Sequence, residues 1–161
     1  TIHATAEMWI KQVHDALYFA TILSYAQGLA MLHEASTDLK MDIPLPEVVK
    51  VWRGGCIIRS SLLEVFTQAY QKNAGLANIL LDEGVAYLVK SVEDNTRSIV
   101  AQAASAGVPV AGFMSALSYF DAFRTGRMAT NLIQAQRDYF GAHTYQRTDM
   151  PGTFHTEWQQ H

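Results

Sequence analysis

The sequence predicts an all-α protein of about seven helices, one of them long and central, followed by an extended C-terminal tail. Apolar residues recur at spacings of three and four residues along most of the chain, which is the period of a helix that buries one face. Glycine and proline stand where these periodic stretches end. No alternating pattern of the kind that forms paired strands interrupts them.

The first predicted helix covers residues 5–35. Thr5 is a suitable N-cap because its hydroxyl can accept a hydrogen bond from a free amide of the first turn. A helix of this length exceeds the usual range, so we expect it to run through the middle of a packed assembly. Gly28 within this helix costs about 1 kcal/mol relative to alanine. A close crossing with another helix would explain the glycine.

The remaining helices follow from the same period and from their stop signals. They are predicted at residues 47–53, 57–72, 79–90, 92–106, 110–125 and 129–140. Gly107, with Pro109 two residues further on, is a typical helix C-terminus. Gly141 is well placed to end the last helix. The predicted helical domain therefore covers residues 1–141.

The tail, residues 142–161, shows neither a helical nor a strand period. It nevertheless carries Tyr145, Phe154 and Trp158, and a disordered tail is poor in large aromatic side chains. We therefore expect the tail to be ordered and to lie extended across another surface. His155 is expected to take part in that docking rather than in catalysis.

Composition and charge exclude several classes of protein. The 161 residues are 49% hydrophobic and 17% charged, with a net charge of -3, which is typical of a folded domain and argues against nucleic-acid binding. No apolar run approaches the roughly 20 residues of a membrane-spanning helix. The single cysteine, Cys56, cannot form an intrachain disulfide and indicates a reducing, cytoplasmic setting.

The sequence carries no established metal or nucleophile motif. There is no G-x-G-x-x-G, no Walker loop and no H-E-x-x-H. The six histidines lack the spacing of metal ligands: His3, His14, His33, His143, His155 and His161. Cys56 follows two glycines and is interpreted as a packed cysteine in a turn. No metal is therefore expected.

A candidate binding site lies at the end of the last predicted helix. Arg137 is in its last turn, Gly141 ends it, and His143 follows two residues later. A guanidinium fork and an imidazolium brought together there would suit a phosphate group. Spacing alone leaves open the alternative in which Arg137 pairs with Asp138 or Asp121 and His143 is an ordinary surface residue.

Several long blocks of sequence point to one known family. The longest is Asn131 to Tyr145, which reads Asn-Leu-Ile-Gln-Ala-Gln-Arg-Asp-Tyr-Phe-Gly-Ala-His-Thr-Tyr. The others are Ile22-Leu-Ser-Tyr-Ala-Gln-Gly28, Trp52-Arg-Gly-Gly-Cys-Ile-Ile-Arg-Ser60, Ala116-Leu-Ser-Tyr-Phe-Asp-Ala-Phe-Arg124 and Phe154-His-Thr-Glu-Trp158. In this order they resemble the 6-phosphogluconate dehydrogenases, and the resemblance covers nearly the whole chain.

The resemblance implies a part in the oxidative decarboxylation of 6-phosphogluconate to ribulose 5-phosphate and CO2, with reduction of NADP, in the pentose phosphate pathway. In this family an N-terminal Rossmann domain binds NADP, and the lysine and glutamate that act on the substrate lie upstream of the segments seen here. The chain also begins with Thr1 rather than Met. We therefore expect a C-terminal fragment of a longer enzyme, inactive alone, with no catalytic or cofactor-binding residues of its own.

The resemblance also assigns roles to two residues and to the tail. Arg137 and His143 match the family's arginine and histidine that reach across a homodimer to hold the phosphate end of 6-phosphogluconate. The family's tail threads into the partner subunit, so residues 142–161 are expected to dock on a second copy of the chain. Two departures from the family stand out: Met128-Ala-Thr replaces a proline-containing start of the last helix, and Asn95-Thr-Arg97 replaces a tryptophan-containing segment. The first predicts a less sharply set first turn.

Two other functions remain open at this stage. The chain could be a non-catalytic helical dimerisation or scaffold module, because the cofactor-binding fold is not part of it. The gene sequence upstream of Thr1 distinguishes the two: a Rossmann fingerprint in frame supports the enzyme, and an immediate stop codon supports the module. A related β-hydroxyacid dehydrogenase is a third reading, although those relatives generally lack a long tail.

Overall fold

The computed structural model describes residues 5–158, and these form mainly helices. The α-helices are α1 Ala6–Asp38, α2 Leu45–Val51, α3 Leu62–Lys72, α4 Glu83–Ala106, α5 Ala111–Arg124 and α6 Asn131–Gly141, and the strands are β1 Tyr145–Gln146 and β2 Thr153–Phe154. The predicted all-α class is confirmed. Thr1, His3 and His161, which entered the sequence predictions, lie outside the described residues.

The structure divides into two compact units, with the boundary between Asp121 and Ala122. The first contains α1 to α4 and most of α5, and the second contains α6 and the two strands. The domain boundary expected from the sequence, after Gly141, would separate α6 from the tail. In the structure α6 belongs to the same unit as the tail, and the reason lies in the contacts of its last turn, described below.

Helix α1 is the central element of the first unit and packs mainly against α4. The Thr5 hydroxyl accepts a hydrogen bond from the Met8 amide at 3.3 Å, which confirms the predicted N-cap. Fully buried apolar side chains of α1, α3 and α4 form the core: Phe19, Ile22, Leu23, Leu29, Leu63, Phe66, Val85 and Val89. The close helix crossing expected at Gly28 is wrong, because a Cβ there would meet no atom within 4 Å. Gly28 instead lines an open cavity of about 660 Å³.

Helix α4 is one continuous helix of 24 residues where the sequence predicted two. Residues Ile79–Leu81 form a 3-10 turn rather than the start of a helix. Asp82 follows this turn, and its Oδ1 accepts a hydrogen bond from the Val85 amide at 3.1 Å, so α4 begins there. Gly107, with a φ of 70°, ends the helix as predicted. Helix α3 likewise begins at Leu62, because residues 54–61 form turns.

Asn95 and Arg97 connect α4 to the helices beside it. Both belong to the segment Asn95-Thr-Arg97 singled out in the sequence. Asn95 Nδ2 donates to Asp15 Oδ2 of α1 at 2.6 Å. Arg97 Nη1 donates to Asp121 Oδ2 of α5 at 3.0 Å, and Arg97 Nε to Glu93 Oε1 at 2.9 Å. Hydrogen bonds between polar side chains thus join α4 to α1 and to α5, and each of these part-buried groups has a partner.

The cap at Asp82 gives a direct test of this description of α4. Replacing Asp82 with Ala leaves the first-turn amide without its acceptor and is expected to lower the free energy of unfolding by about 1 kcal/mol. Asp82→Asn keeps the acceptor and is expected to lose less. Asp94→Ala, at an exposed position of the same helix, is the matched control. The free energies of unfolding can be measured by chemical denaturation. An equal loss in Asp82→Ala and Asp94→Ala would contradict the assignment of Asp82 as the cap.

Candidate functional site

The candidate site lies at the C-terminal end of α6, in the second unit. Arg137 and Gly141 are four residues apart and therefore lie on one face of α6. Side chains at this spacing on a helix begin about 5–6 Å from one another. A Cβ on Gly141 would lie 3.0 Å from His143 Nε2, which means that the imidazole covers the end of this same face. The structure therefore places the two residues predicted from the sequence on one side of α6. Both are exposed.

The bend that carries His143 uses an uncommon backbone conformation. Ala142 and Thr144, on either side of His143, have φ values of 49° and 62°. Non-glycine residues seldom adopt positive φ and do so only where surrounding contacts hold them. Here the Ala142 amide donates to the Asp138 carbonyl at 2.9 Å, and the Thr144 amide donates to Asp138 Oδ1 at 2.9 Å. The last turn of α6 thus fixes the direction in which His143 leaves the helix.

Asp138 is fully buried and accepts four hydrogen bonds. Its Oδ1 accepts from the Thr144 amide and from His155 Nδ1, both at 2.9 Å. Its Oδ2 accepts from the Thr156 amide at 2.9 Å and from Trp158 Nε1 at 3.0 Å. Burial by itself would raise the pKa of Asp138, but these hydrogen bonds outweigh burial and hold the pKa well below its ordinary value. The carboxylate stays ionised and fastens the tail to α6.

The tail forms a β-hairpin instead of a single extended segment. Strands β1 and β2 pair antiparallel, with Tyr145 opposite Phe154 and Gln146 opposite Thr153. Gly152, with a φ of 127°, allows the reversal. The expectation of an unpaired extended tail is therefore wrong for these residues, since backbone pairing and the Asp138 carboxylate satisfy them within the unit. Docking of the tail on a second copy stays a prediction.

Arg137 has a partner that the sequence did not suggest. Within the second unit the alternative in which Arg137 pairs with Asp138 is not found, because the Asp138 carboxylate accepts its hydrogen bonds from the tail. Arg137 Nη1 instead donates to Gln134 Oε1 at 3.1 Å. A neutral partner leaves the guanidinium charge available for an anion.

Sequence reasoning missed Asp138 and Gln134 as parts of this site. The position of Asp138 could have indicated its role. The helix dipole disfavours an acidic side chain in the last turn of a helix, so hydrogen-bond donors from beyond the helix end are expected to stabilise it. Gln134 stands three residues before Arg137, a spacing that brings side chains together on a helix, but its second contact, with Thr144, depends on the bend after α6.

Two cavities of the described second unit lie beside the candidate residues without including them. The larger one, of about 720 Å³, is bordered by Asn131, Tyr145 and Arg147 among others, and a smaller one by Asp138 and Trp158. Arg147 is engaged with Asp149, Nε to Oδ1 at 2.8 Å. The face with the two candidate residues is open, so a closed binding pocket there needs a further surface.

The described residues offer neither a metal site nor a membrane-spanning helix. From residue 5 to residue 158, no three or more His, Cys, Asp or Glu side chains are grouped so that they could hold a metal ion. Within that range no helix combines the length and the apolar character needed to cross a membrane.

Comparison with known proteins identifies the family. A family model described as 6-phosphogluconate dehydrogenase, C-terminal domain, matches residues 1–158. The chain belongs to this family. The resemblance seen in the sequence blocks is thereby confirmed for the greater part of the chain.

Individual relatives agree with the family match. The chain is 46% identical over 149 residues to the decarboxylating 6-phosphogluconate dehydrogenase of Lactococcus lactis. This alignment covers 92% of this chain and 32% of that protein. It is 46% identical over 154 residues to the NADP(+)-dependent, decarboxylating enzyme of Bacillus subtilis, covering 96% of this chain and 33% of the relative. The solved structure of Plasmodium falciparum 6-phosphogluconate dehydrogenase, studied in its apo form and with NADP+ or 6-phosphogluconate, superimposes with a TM-score of 0.90 at 37% identity, over 98% of this chain and 34% of that one. The chain thus spans about a third of the length of these relatives.

The hydrogen bonds of Asp138 predict how the tail responds to acid. Because the folded pKa is lowered, the stabilisation is complete above the unfolded carboxyl value of about 3.9 and is lost as the pH falls through the folded pKa. The Trp158 indole N–H resonance should therefore keep its folded position from pH 7 down to about pH 4 and be lost only at more acidic pH, as the pH falls towards the folded pKa.

Two variants make this acid response specific to Asp138. Asp138→Asn should abolish the folded Trp158 resonance at every pH, because an amide cannot accept at both of its ends. Asp149→Asn, which changes an exposed hairpin carboxylate, is the control and should leave the resonance in place. A folded Trp158 resonance in Asp138→Asn at neutral pH would show that the carboxylate does not hold the tail.

Proposed function

We propose that this chain is the C-terminal part of a decarboxylating 6-phosphogluconate dehydrogenase. The complete enzyme would oxidise and decarboxylate 6-phosphogluconate to ribulose 5-phosphate and CO2 while reducing NADP, as a step of the pentose phosphate pathway. Within it the chain supplies residues that bind the substrate phosphate and surfaces that form a homodimer. Family membership supports this proposal, and the placement of Arg137 and His143 on one face of α6 is the observation that carries it.

The two side chains have the chemistry that a phosphate ester requires. A guanidinium presents several N–H donors in a plane and can bind two phosphate oxygens at once, and the imidazole adds a further donor. The nearest carboxylate on α6, Asp138, is committed to the tail and does not neutralise Arg137. The phosphate is remote from the carbons that react, so holding it orients the substrate and contributes binding energy without taking part in the chemical step.

A second copy of the chain is the surface that would complete the site. The face of α6 that carries Arg137 also carries Ile133 and Phe140, whose exposures are 58% and 74%. Apolar side chains beside an open ligand-binding face are typical of an interface, and a two-fold dimer is the commonest arrangement. We infer that Arg137 and His143 reach into the active site of the partner, as the family resemblance implies.

The chain itself does not fit the cofactor. Its described residues contain a single two-stranded antiparallel sheet, whereas a dinucleotide site is built on a parallel sheet with a glycine-rich turn. NADP, and the lysine and glutamate expected to move protons, therefore belong to the rest of the enzyme. The isolated chain is expected to be inactive. A lone cysteine, Cys56, supports a cytoplasmic location.

Loss of Arg137 should weaken substrate binding selectively. In a full-length dehydrogenase containing this chain, Arg137→Ala is expected to raise the KM for 6-phosphogluconate about 10- to 100-fold, because charge-assisted hydrogen bonds to the phosphate are lost. The KM for NADP should not change. Turnover of gluconate, which lacks the phosphate, should be equally slow in the variant and the parent.

Arg147→Ala is the control for this experiment, since it removes an exposed arginine of the same unit that pairs with Asp149. It should leave all constants near those of the parent. Unchanged steady-state constants for 6-phosphogluconate in Arg137→Ala would defeat the assignment of a phosphate site.

Dimer formation can be measured by sedimentation. The isolated chain of 17.9 kDa is expected to associate into a species of about twice that mass as its concentration rises. Phe140→Glu should weaken this association, since it would place an unpaired carboxylate in the interface. A monomer that persists at the highest concentration would argue against this face as a dimer contact.

A further inference from the structure

Gln134 connects the two candidate phosphate-binding residues. Its Oε1 accepts a hydrogen bond from Arg137 Nη1 at 3.1 Å, and its Nε2 donates to the carbonyl of Thr144 at 2.5 Å. Thr144 is the residue directly after His143. One half-buried amide side chain thus contacts the guanidinium on one side and the backbone next to the imidazole on the other.

Only one orientation of the Gln134 amide satisfies both contacts. A guanidinium is purely a donor, so it must face the amide oxygen, and a carbonyl is purely an acceptor, so it must face the amide nitrogen. Both backbone polar groups of Thr144 are then hydrogen-bonded. Its N–H donates to Asp138 Oδ1, and its carbonyl accepts from Gln134 Nε2. These two bonds restrain a residue with positive φ, and with it the position of His143.

We propose that Gln134 is a positioning residue for the substrate phosphate, which sets Arg137 and His143 at a fixed separation before the substrate arrives. The inference rests on the proposed phosphate site. Gln134 does not touch the ligand in this assignment. It engages one N–H of the Arg137 guanidinium and leaves the remaining donors of the fork for phosphate oxygens.

The physical advantage is pre-organisation. An arginine side chain on a helix surface samples many rotamers, and ordering it on binding costs free energy. A hydrogen bond to Gln134 removes part of that freedom beforehand. The same side chain also restrains the bend, so displacement of Gln134 would disturb the arginine and the histidine together.

The test compares two substitutions in a full-length dehydrogenase containing this chain. Gln134→Met keeps the length and the helical preference of the side chain but removes both hydrogen bonds. It is expected to raise the KM for 6-phosphogluconate roughly tenfold, while kcat and the KM for NADP change little. Gln136→Met, at an exposed position of the same helix, is the matched control and should behave like the parent.

A double-mutant cycle and a second substrate show whether the effect passes through Arg137. In an Arg137→Ala background, Gln134→Met should have a smaller effect than in the parent, since one of its two partners is already missing. The rate with gluconate, which has no phosphate to position, should be the same in Gln134→Met and the parent. This comparison also detects a variant that has simply folded poorly, because poor folding would lower activity on both substrates.

The outcomes separate this inference from the function on which it rests. If Arg137→Ala leaves the KM for 6-phosphogluconate unchanged, the phosphate site and the role of Gln134 both fail. If Arg137→Ala raises that KM but Gln134→Met does not, only the positioning role is overturned. Effects of the two substitutions that add fully, or an equal loss with gluconate, would also overturn it.

Discussion

The buried carboxylate of Asp138 is the interaction on which the second unit depends. A negative charge in the last turn of a helix faces the carbonyl ends of that helix, which is electrostatically unfavourable. Removal from water adds a further cost unless the lone pairs are satisfied. Four donors meet that need, and all of them come from residues after the helix. The helix end and the tail are therefore stable only as one structure.

The candidate site inherits its geometry from this arrangement. Thr144 donates to Asp138, and this bond, together with the one to Gln134, holds a backbone that would otherwise avoid positive φ. His143 lies between the two residues of positive φ and has little freedom to move away from α6. A strained bend held by a buried polar network is a means of fixing a binding residue on a loop that is otherwise exposed.

Local sequence signals were sufficient for some of these features and not for others. Thr5 and Gly107 mark helix ends by their own hydrogen-bonding and backbone preferences, so their roles could be predicted. The continuous α4 could not, because the choice between one helix and two is settled by packing against α1. Strands of two residues are too short to show an alternating pattern. The contact of Gln134 with Arg137 follows a helical spacing of three residues, but its contact with Thr144 depends on the bend, which no local signal describes.

Charge is arranged locally rather than over the whole chain. A net charge of -3 gives no general attraction for anions. The tail occupies the only carboxylate of α6, Asp138, and no carboxylate among the described residues forms an ion pair with Arg137, whose hydrogen bond goes to a neutral amide. For the proposed phosphate site the consequence is indirect: residues 144–158 hold the charged carboxylate of Asp138 in their own hydrogen bonds, so that it does not pair with Arg137. A tail that left Asp138 free would return that charge to the neighbouring arginine and weaken its hold on a phosphate.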